Sequence, residues 1–411
     1  MPRQTCSEYA MDALGFSEDD CKRIQDGRQG EVVPLVFGDW EKDEWNRYLV
    51  EAFLVDVSAR KLIMGATMSG YSLDSVVSSV QILKPDGSTA TKGLTNIDLS
   101  KGTAIISDYT YSDGDRFFCR LKGLKPAITD GRLVENPVDV AVALLGYAGI
   151  AMDKMDTGSR LTARWLLKKR RVRRVLKERC ELGEVLSRLG FETGFRVRSS
   201  GGVVQFVVPD WLAFDQDWQR FGKDELISFE RFATDPDGLA AGKWIAKTLY
   251  NPREDGYELV IEAGESGRFG YAEDREVEFN WVCARKDVLH RLMTVEFLFG
   301  RHQPKIFEFR LSHAAMELTP LTGFWLDMPW LFGEPQPFLA LETRRDVKNG
   351  VVDIKALWLG YVFDIGRWTS DDHPDWSNST DQQRRFWGYW TDEDGLCNPA
   401  DPESNMSNWG M

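Results

Sequence analysis

The stretch "ENPVDVAVALLGYAGI", residues 135–150, is where the texture of the chain changes from strand-like to helical. Asn136 can cap a helix, Pro137 suits the first helical position, and Asp139 sits favourably in the first turn. Val138 through Ala148 are apolar on nearly every side, so the spacing predicts a helix over 137–148 that is buried all round. Such a helix needs other elements to cover it, and the chain on either side supplies them.

Upstream, residues 31 to about 134 read as β-structure. Apolar runs such as "RYLVEAFLVDV", "KLIMGATMSG", "DSVVSSVQIL", "TAIISDYTY" and "DRFFCRLKGL" are separated by turn signals. Asp86-Gly87 in "SSVQILKPDGSTATKG" predicts a hairpin with a tight primed turn. The first apolar run, "EVVPLVFGDW" (31–40), carries Pro34, which cannot donate to a ladder and belongs at an edge or at a strand's beginning. Residues 1–30 are polar with room for one short helix.

Downstream, a second helix is expected from about Arg160 to Leu189, ending at Gly190. A hairpin follows, turning on Ser-Ser-Gly-Gly at 199–202, with Phe195, Val197, Val204, Phe206 and Val208 on one face. "ELISFERF" reads as a strand, "GLAAGKWIAKTL" as a helix and "GYELVIEAG" as a strand. A helix near 284–298, the strand "KIFEFRLS" (305–312) and a last strand "VDIKALWLGYVFDI" come next. Beyond about 366 the chain is acidic, rich in tryptophan and without period, which predicts irregular coil. No internal repeat is visible. The pattern as a whole is α+β, mainly β.

Of 411 residues, 43% are hydrophobic and 12% aromatic, enough for sizeable cores in several domains. A net charge of −13 argues against a general nucleic-acid coat. The six cysteines are scattered without a C-x-x-C pair, the pattern of reduced thiols in a chain made in a reducing cytosol. No secretory signal is evident at the start, and the longest apolar stretch, Val140 to Met152, is too short to span a bilayer.

Chemistry-bearing motifs are scarce. The four histidines (290, 302, 313 and 373) show no metal-ligand spacing, and there is no nucleophile elbow, P-loop or dinucleotide fingerprint. "TDEDGLCNPAD" places Asp392, Asp394, Gly395 and Asp401 at four calcium-loop positions, but Trp390 stands where the first acidic ligand belongs. We assign no catalytic residue, cofactor or metal and expect no enzyme.

The strongest local anomaly is "RLTARWLLKKRRVRRVLKER" (160–179), in which ten of twenty residues are basic and only Glu178 is acidic. Leu161, Trp165, Val172 and Leu176 make a narrow apolar stripe on the expected helix, with cations elsewhere. Ten like charges repel one another, so this basic helix is expected to meet a partner through Arg164, Lys168, Lys169, Arg170, Arg171, Arg173, Arg174 and Lys177. Trp368, Trp376, Trp387, Trp390 and Trp409 crowd the acidic tail, either to stack on sugars or partners or to pin the tail to the body.

The order "VPLVFGD", then "GDRFFCRLKG", then "GRLVENPVDVAVALLGYAGI" resembles the central hub proteins of tailed-bacteriophage baseplates and tail tips. Pro34, Gly38, Asp115, Gly123, Asn136 and Pro137 carry the motif, and the likeness extends loosely over residues 31–345. Where the family pairs Gly with Asp before a late apolar strand, this chain reads Gly323-Phe324. The resemblance implies small β-barrel domains with an inserted α/β domain, assembled as a trimeric ring about the tail axis. The domains would be an N-terminal segment (1–30), a first barrel (31–134), an α/β insert (135–225), a second barrel (226–365) and the acidic tail (366–411). The implied role is to join tail tube to tip and to line or gate the channel through which DNA passes. Implied partners are the distal tail or tube protein, tip or fibre proteins and the tape measure, in a virion component made in the host cytoplasm. Lytic activity is not implied. Two other readings stay open: a tail-associated carbohydrate-binding or glycan-degrading protein using the tryptophan-rich tail, and a nucleic-acid-binding protein using residues 160–179.

Overall fold

The computed structural model describes residues 4–41, 45–127, 131–209, 218–235, 240–264, 266, 270, 273–295 and 303–360, with short strands beyond at 367–368, 387–391 and 408–410. The chain is mainly β and divides into two compact units. The first comprises Met1–Val208, Trp244–Ala263 and Glu276–Met293, and the second comprises the remainder.

The first unit opens with α1 (Cys6–Leu14), held by a capping box in which Thr5 and Glu8 exchange bonds and ended by Gly15 in the left-handed conformation. β1 (Leu35–Phe37) follows, with Pro34 just before it; the Pro34 carbonyl accepts from the Ala66 amide at 2.8 Å. Proline thus stands at a strand's beginning, where its missing N–H costs nothing. Six strands then close a barrel: β2 (Val50–Asp56), β3 (Lys61–Ile63), β4 (Tyr71–Leu83), β5 (Thr89–Asp98), β6 (Thr103–Ile106) and β7 (Arg116–Pro126). Their order around the barrel is β2-β3-β6-β5-β4-β7, with β7 pairing antiparallel to both β2 and β4. The β4–β5 hairpin turns at Asp86-Gly87 as expected, but only Gly87 takes positive φ (+84°), so the turn is not of the primed type.

α2 (Pro137–Tyr147) is the helix expected at the change of texture. The Asn136 side chain accepts from the Val138 amide at 3.0 Å, Pro137 occupies the first turn, and seven of eleven residues are buried, so it is a core helix. Burial is not complete, because Gly146 near its end is exposed.

Residues 160–189 do not form one helix. They form α3 (Thr157–Leu166), a connection, β8 (Arg174–Leu176), and α4 (Leu182–Thr193) after a second break. β8 pairs antiparallel with β1, from Leu35↔Leu176 to Phe37↔Arg174. A continuous helix would stack ten like charges along a single rod. The observed path lets the backbone satisfy β1 and sends Arg164, Arg170 and Arg171 towards separate carboxylates. β9 (Arg196–Ser200) and β10 (Val203–Val207) are the expected hairpin.

β11 (Gln219–Phe221) and β12 (Leu226–Thr234) belong to the second unit. The chain then re-enters the first unit with β13 (Lys243–Asn251), β14 (Gly256–Gly264), β15 (Arg275–Glu278) and α5 (Arg285–Val295). The helix expected over 238–249 is the strand β13; residues 238 and 239 lie outside the described set. Trp244, Ala246 and Thr248 are buried at every second position, and this period overrides the helical propensity of Ala, Leu and Lys.

β16 (Lys305–Ser312), β17 (Gly323–Leu326), β18 (Gln336–Asp346) and β19 (Val351–Trp358) complete the second unit's six-stranded sheet, ordered β11-β17-β18-β19-β16-β12. Its core is Phe-rich: Phe221, Phe307, Phe309, Phe324 and Phe338 are at most 2% exposed. Numbered along each set of strands, both units share the antiparallel order first-second-fifth-fourth-third. The chain therefore holds a topological repeat that leaves no trace as a repeated sequence.

In the tail, where irregular coil is expected, Arg367–Trp368, Trp387–Thr391 and Asn408–Gly410 pair as a three-stranded sheet with Trp390 opposite Trp409. The aromatic-rich run "WGYWT" suits a strand better than its acidic surroundings suggest. Trp376 and the partial calcium loop at 392–401 lie outside the described residues.

Candidate functional site

The site grows from the motif residues of the first unit. Gly38 has φ +76°, and a Cβ there would lie 2.4 Å from the Val172 carbonyl oxygen. A Cβ on Gly123 would lie 2.3 Å from the Val36 carbonyl oxygen. Between them the Gly123 amide donates to the Gly38 carbonyl at 2.9 Å, and the Trp40 amide donates to Leu121 at 3.0 Å. The chain leaving β1 is thus pressed between β7 and residues 172–173, at a spacing only glycine permits.

Asp115 is fully buried at the start of β7. It accepts from Lys84 Nζ at 2.7 Å and from the Tyr109 hydroxyl, while its own carbonyl accepts from Gln25 Nε2 at 2.8 Å. Burial and this carboxylate push the Tyr109 phenol well above its usual range. Asn136 works twice: besides capping α2, its Nδ2 donates to the Leu167 carbonyl at 3.0 Å and so fixes the end of α3.

The basic segment is seated against this framework. Arg164 Nε lies 2.8 Å from the Asp139 carboxylate on α2. Arg171 meets Glu135 at 2.7 Å, and Arg170 meets Asp287 at 2.6 Å while its Nη2 lies 2.8 Å from His290 Nδ1. Burial, then the Arg170 charge, hold the His290 pKa below its ordinary value. The Arg173 guanidinium sits 4.6 Å over Trp40 and that of Arg174 sits 5.6 Å over Trp281. Lys177 donates to the Pro252 carbonyl. Lys168 lies 4.4 Å over the Trp165 ring, and it and Lys169 are exposed.

The expected apolar stripe is split. Val172 and Leu176 are buried, whereas Leu161 and Trp165 are 55% and 63% exposed and Leu166 joins them at 51%. The outward surface of the segment therefore includes three apolar side chains on α3 beside Lys168 and Lys169. The carboxylates that take up the inner arginines come from 117 residues away for Arg170, from α2 for Arg164 and from just before the α2 cap for Arg171; sequence spacing carried no signal for these pairings.

Glu192, at the end of α4, was not marked by its sequence. Its carboxylate is buried and accepts from the amides of Asn280, Trp281 and Val282 at 2.9, 2.7 and 3.0 Å. Burial pushes its pKa up to about 7 against those three amides and Arg174, which pull it down. This anchor places the Trp281 ring under Arg174 and its carbonyl at 3.0 Å from the Arg173 amide.

A cavity of about 240 Å³ adjoins the segment, lined among others by Arg47, Glu135, Arg171, Arg173 and Glu258. Arg47 pairs with Glu258 and Arg171 with Glu135, and Asp39 on the same wall offsets the charge of Arg173, so the lining carries no net charge. Cys283, also on its wall, has a thiol pushed up by burial, which disfavours the nucleophilic thiolate. Among the described residues no three His, Cys, Asp or Glu side chains gather as a metal site.

No family model matches this chain, and no curated protein matches it. Among solved structures it is similar to a chain from the "virion of native gene transfer agent (GTA) particle", with 10% identity, TM-score 0.47, and coverage of 90% of this chain and 94% of that one. It is also similar to a tail protein from Neisseria meningitidis MC58 (10% identity, TM-score 0.35, 79% and 96% covered). A 43 kDa tail protein of prophage MuSo2 from Shewanella oneidensis is a third (9% identity, TM-score 0.29, 79% and 93% covered).

Proposed function

We propose that this chain is a structural virion protein of the phage-tail type, a hub at the tail tip or baseplate that joins the tail tube to the tip. One observation carries the reading. Three of the six residues through which the sequence resembles the hub family seat the basic segment on the first barrel: Gly123 lets β1 lie against β7, Gly38 lets residues 172–173 pass over the chain leaving β1, and Asn136 bonds to Leu167. Half of a motif that was loose as a string of letters thus shares one physical task.

In this reading the protein works as a homotrimer. It contacts the distal tail or tube protein, tip or fibre proteins and the tape measure, and it takes part in host attachment and genome ejection as a lining or gate of the DNA channel. Leu161, Trp165 and Leu166 with Lys168 and Lys169 form the contact to an acidic surface of an adjoining subunit. Apolar residues ringed by cations suit such a surface, since each exposed charge pair alone contributes at most about 1 kcal/mol. No catalytic step is assigned.

The test is the mass of the purified chain in solution together with antibody labelling of purified particles. A trimer in solution and label at the tail tip are expected. A monomer that binds or cleaves polysaccharide, or particles lacking the chain, would overturn the reading.

A further inference from the structure

Where the end of α4 meets α5, the first unit gathers three guanidiniums around a single carboxylate. Arg170 is satisfied there, with Nη1 at 2.6 Å from Asp287 and Nη2 at 2.8 Å from His290 Nδ1. Arg291, one turn beyond Asp287 on α5, is half-buried and meets no acid among the described residues. Its Nε donates to the Phe191 carbonyl at 2.5 Å, and its guanidinium lies 5.2 Å from the centre of the Phe191 ring. Phe191 in turn rests on the fully buried Phe279, with ring centres 6.2 Å apart. Arg196 begins β9 two residues past Gly194, whose left-handed conformation (φ +86°) ends α4. The Arg196 side chain is exposed, and it too meets no carboxylate among the described residues.

This packing leaves Arg291 with a fixed and unused donor edge. One edge is committed to a carbonyl and one face to a ring, while Nη1 lies beside Gly194, 3.9 Å from where a Cβ would stand. Neither Nη group has an acceptor among the described residues. Burial, then the charges of Arg170 and Arg196, hold the Arg291 pKa down at about 10. The corner thus carries two guanidiniums without acids, in a chain whose net charge is −13. The cavity lined by Arg47 and Glu258 is the contrast, since there each cation is offset on the same wall.

We propose that Arg291 and Arg196 together bind a phosphate group, as the free dianion or at the end of a small phosphomonoester. Charge selects the class first. Two unmatched cations are neutralised by a dianion, whereas a single carboxylate leaves one of them over. Shape selects it next, because guanidinium forks match phosphate oxygens and a tetrahedral group can offer separate oxygens to two forks at once. A diester phosphate of nucleic acid carries a single charge and fits the pair less well. Arg170 stays with Asp287 and contributes to the field at the site without touching the anion. The assignment is independent of the role in a tail.

The experiment is isothermal titration of the full chain with inorganic phosphate at about pH 8, where phosphate is largely dianionic. Acetate and a short DNA duplex are compared at matched ionic strength. We expect one phosphate per chain, bound at least about tenfold more tightly than acetate. Arg196→Gln, at an exposed side chain, should fold as the parent does and weaken phosphate binding at least about tenfold, the loss of a charge-assisted hydrogen bond. Lys168→Glu with Lys169→Glu should leave the affinity within about twofold. Absence of phosphate binding, or acetate bound as tightly, overturns the proposal without any variant. Phosphate binding untouched by Arg196→Gln overturns it as well, because the anion would then sit elsewhere. So does tighter binding of the duplex that the same variant abolishes, which would make the corner a nucleic-acid contact.

Discussion

The Gly123 amide donates to the Gly38 carbonyl across 2.9 Å, and neither residue has space for a side chain. Eighty-odd residues of barrel separate the two in sequence, so the contact ties the barrel's last strand to the chain that enters it. Alanine at 123 would force backbone apart, since the nearest obstacle is the Val36 carbonyl at 2.3 Å. Gly123→Ala should destabilise the protein by roughly 1–3 kcal/mol. Gly38→Ala should cost at least as much, because φ +76° adds conformational strain to the clash. Gly87→Ala, at φ +84° in open space, is the control and should cost only about 1 kcal/mol. Urea unfolding midpoints of the three variants check the ranking.

Helix α2 gives a sharper test of the core. Leu144 is 0% exposed, and Leu144→Asp would leave a carboxylate without a partner there. The cost is several kcal/mol, enough to abolish soluble folding. Soluble variant protein with a cooperative transition would count against the burial of this helix.

Glu192 should make stability depend on pH. Its pKa is raised in the folded chain to about 7 from 4.5, so the folded state binds its proton more tightly than the unfolded state does. The stabilisation from that proton is fully present below about pH 4.5, and it is lost as pH rises to about 7. Between pH 5 and pH 8 the loss should be of the order of 1–3 kcal/mol. Glu192→Gln, which no longer titrates, should flatten this part of the profile. Denaturant midpoints across the window measure it.

Charge reversal separates the inner from the outer cations of the basic segment. Changing Arg170, Arg171, Arg173 and Arg174 to Glu would set negative charges against Asp287 and Glu135 and on the faces of Trp40 and Trp281. That variant should be destabilised by more than about 3 kcal/mol. Lys168→Glu with Lys169→Glu should leave stability within about 0.5 kcal/mol, because both side chains are exposed. The same pair should weaken assembly, read as oligomer mass and incorporation into particles. Intact assembly together with lost DNA binding would move the segment's role to nucleic acid.

These contrasts show how far local reading reaches. Asn136-Pro137 announced α2 because capping and proline chemistry act within one turn, and "KIFEFRLS" announced β16 because its alternation faces one core. The segment 160–189 misled, since its periodicity described a plausible helix while the backbone of β1 takes Arg174–Leu176 as its partner. Glu192 was invisible for a related reason: a carboxylate is ordinary until three amides some ninety residues away turn towards it. The shared strand order of the two units was hidden because about seventy residues separate β12 from β16, against four between β2 and β3. Distance along the chain, more than any ambiguity of composition, set what could be read.

The return of residues 244–263 and 276–293 to the first unit has a consequence for synthesis. A chain emerging from the ribosome would present Glu192 long before the 280–282 amides that bind it. At about 5–20 residues per second, ninety residues correspond to roughly 5–18 s of waiting. Through that interval the barrel can close, but the end of α4 has no anchor, and β12 of the second unit is already outside. The nascent first unit therefore cannot finish before the second has begun, and their maturation is interleaved in time.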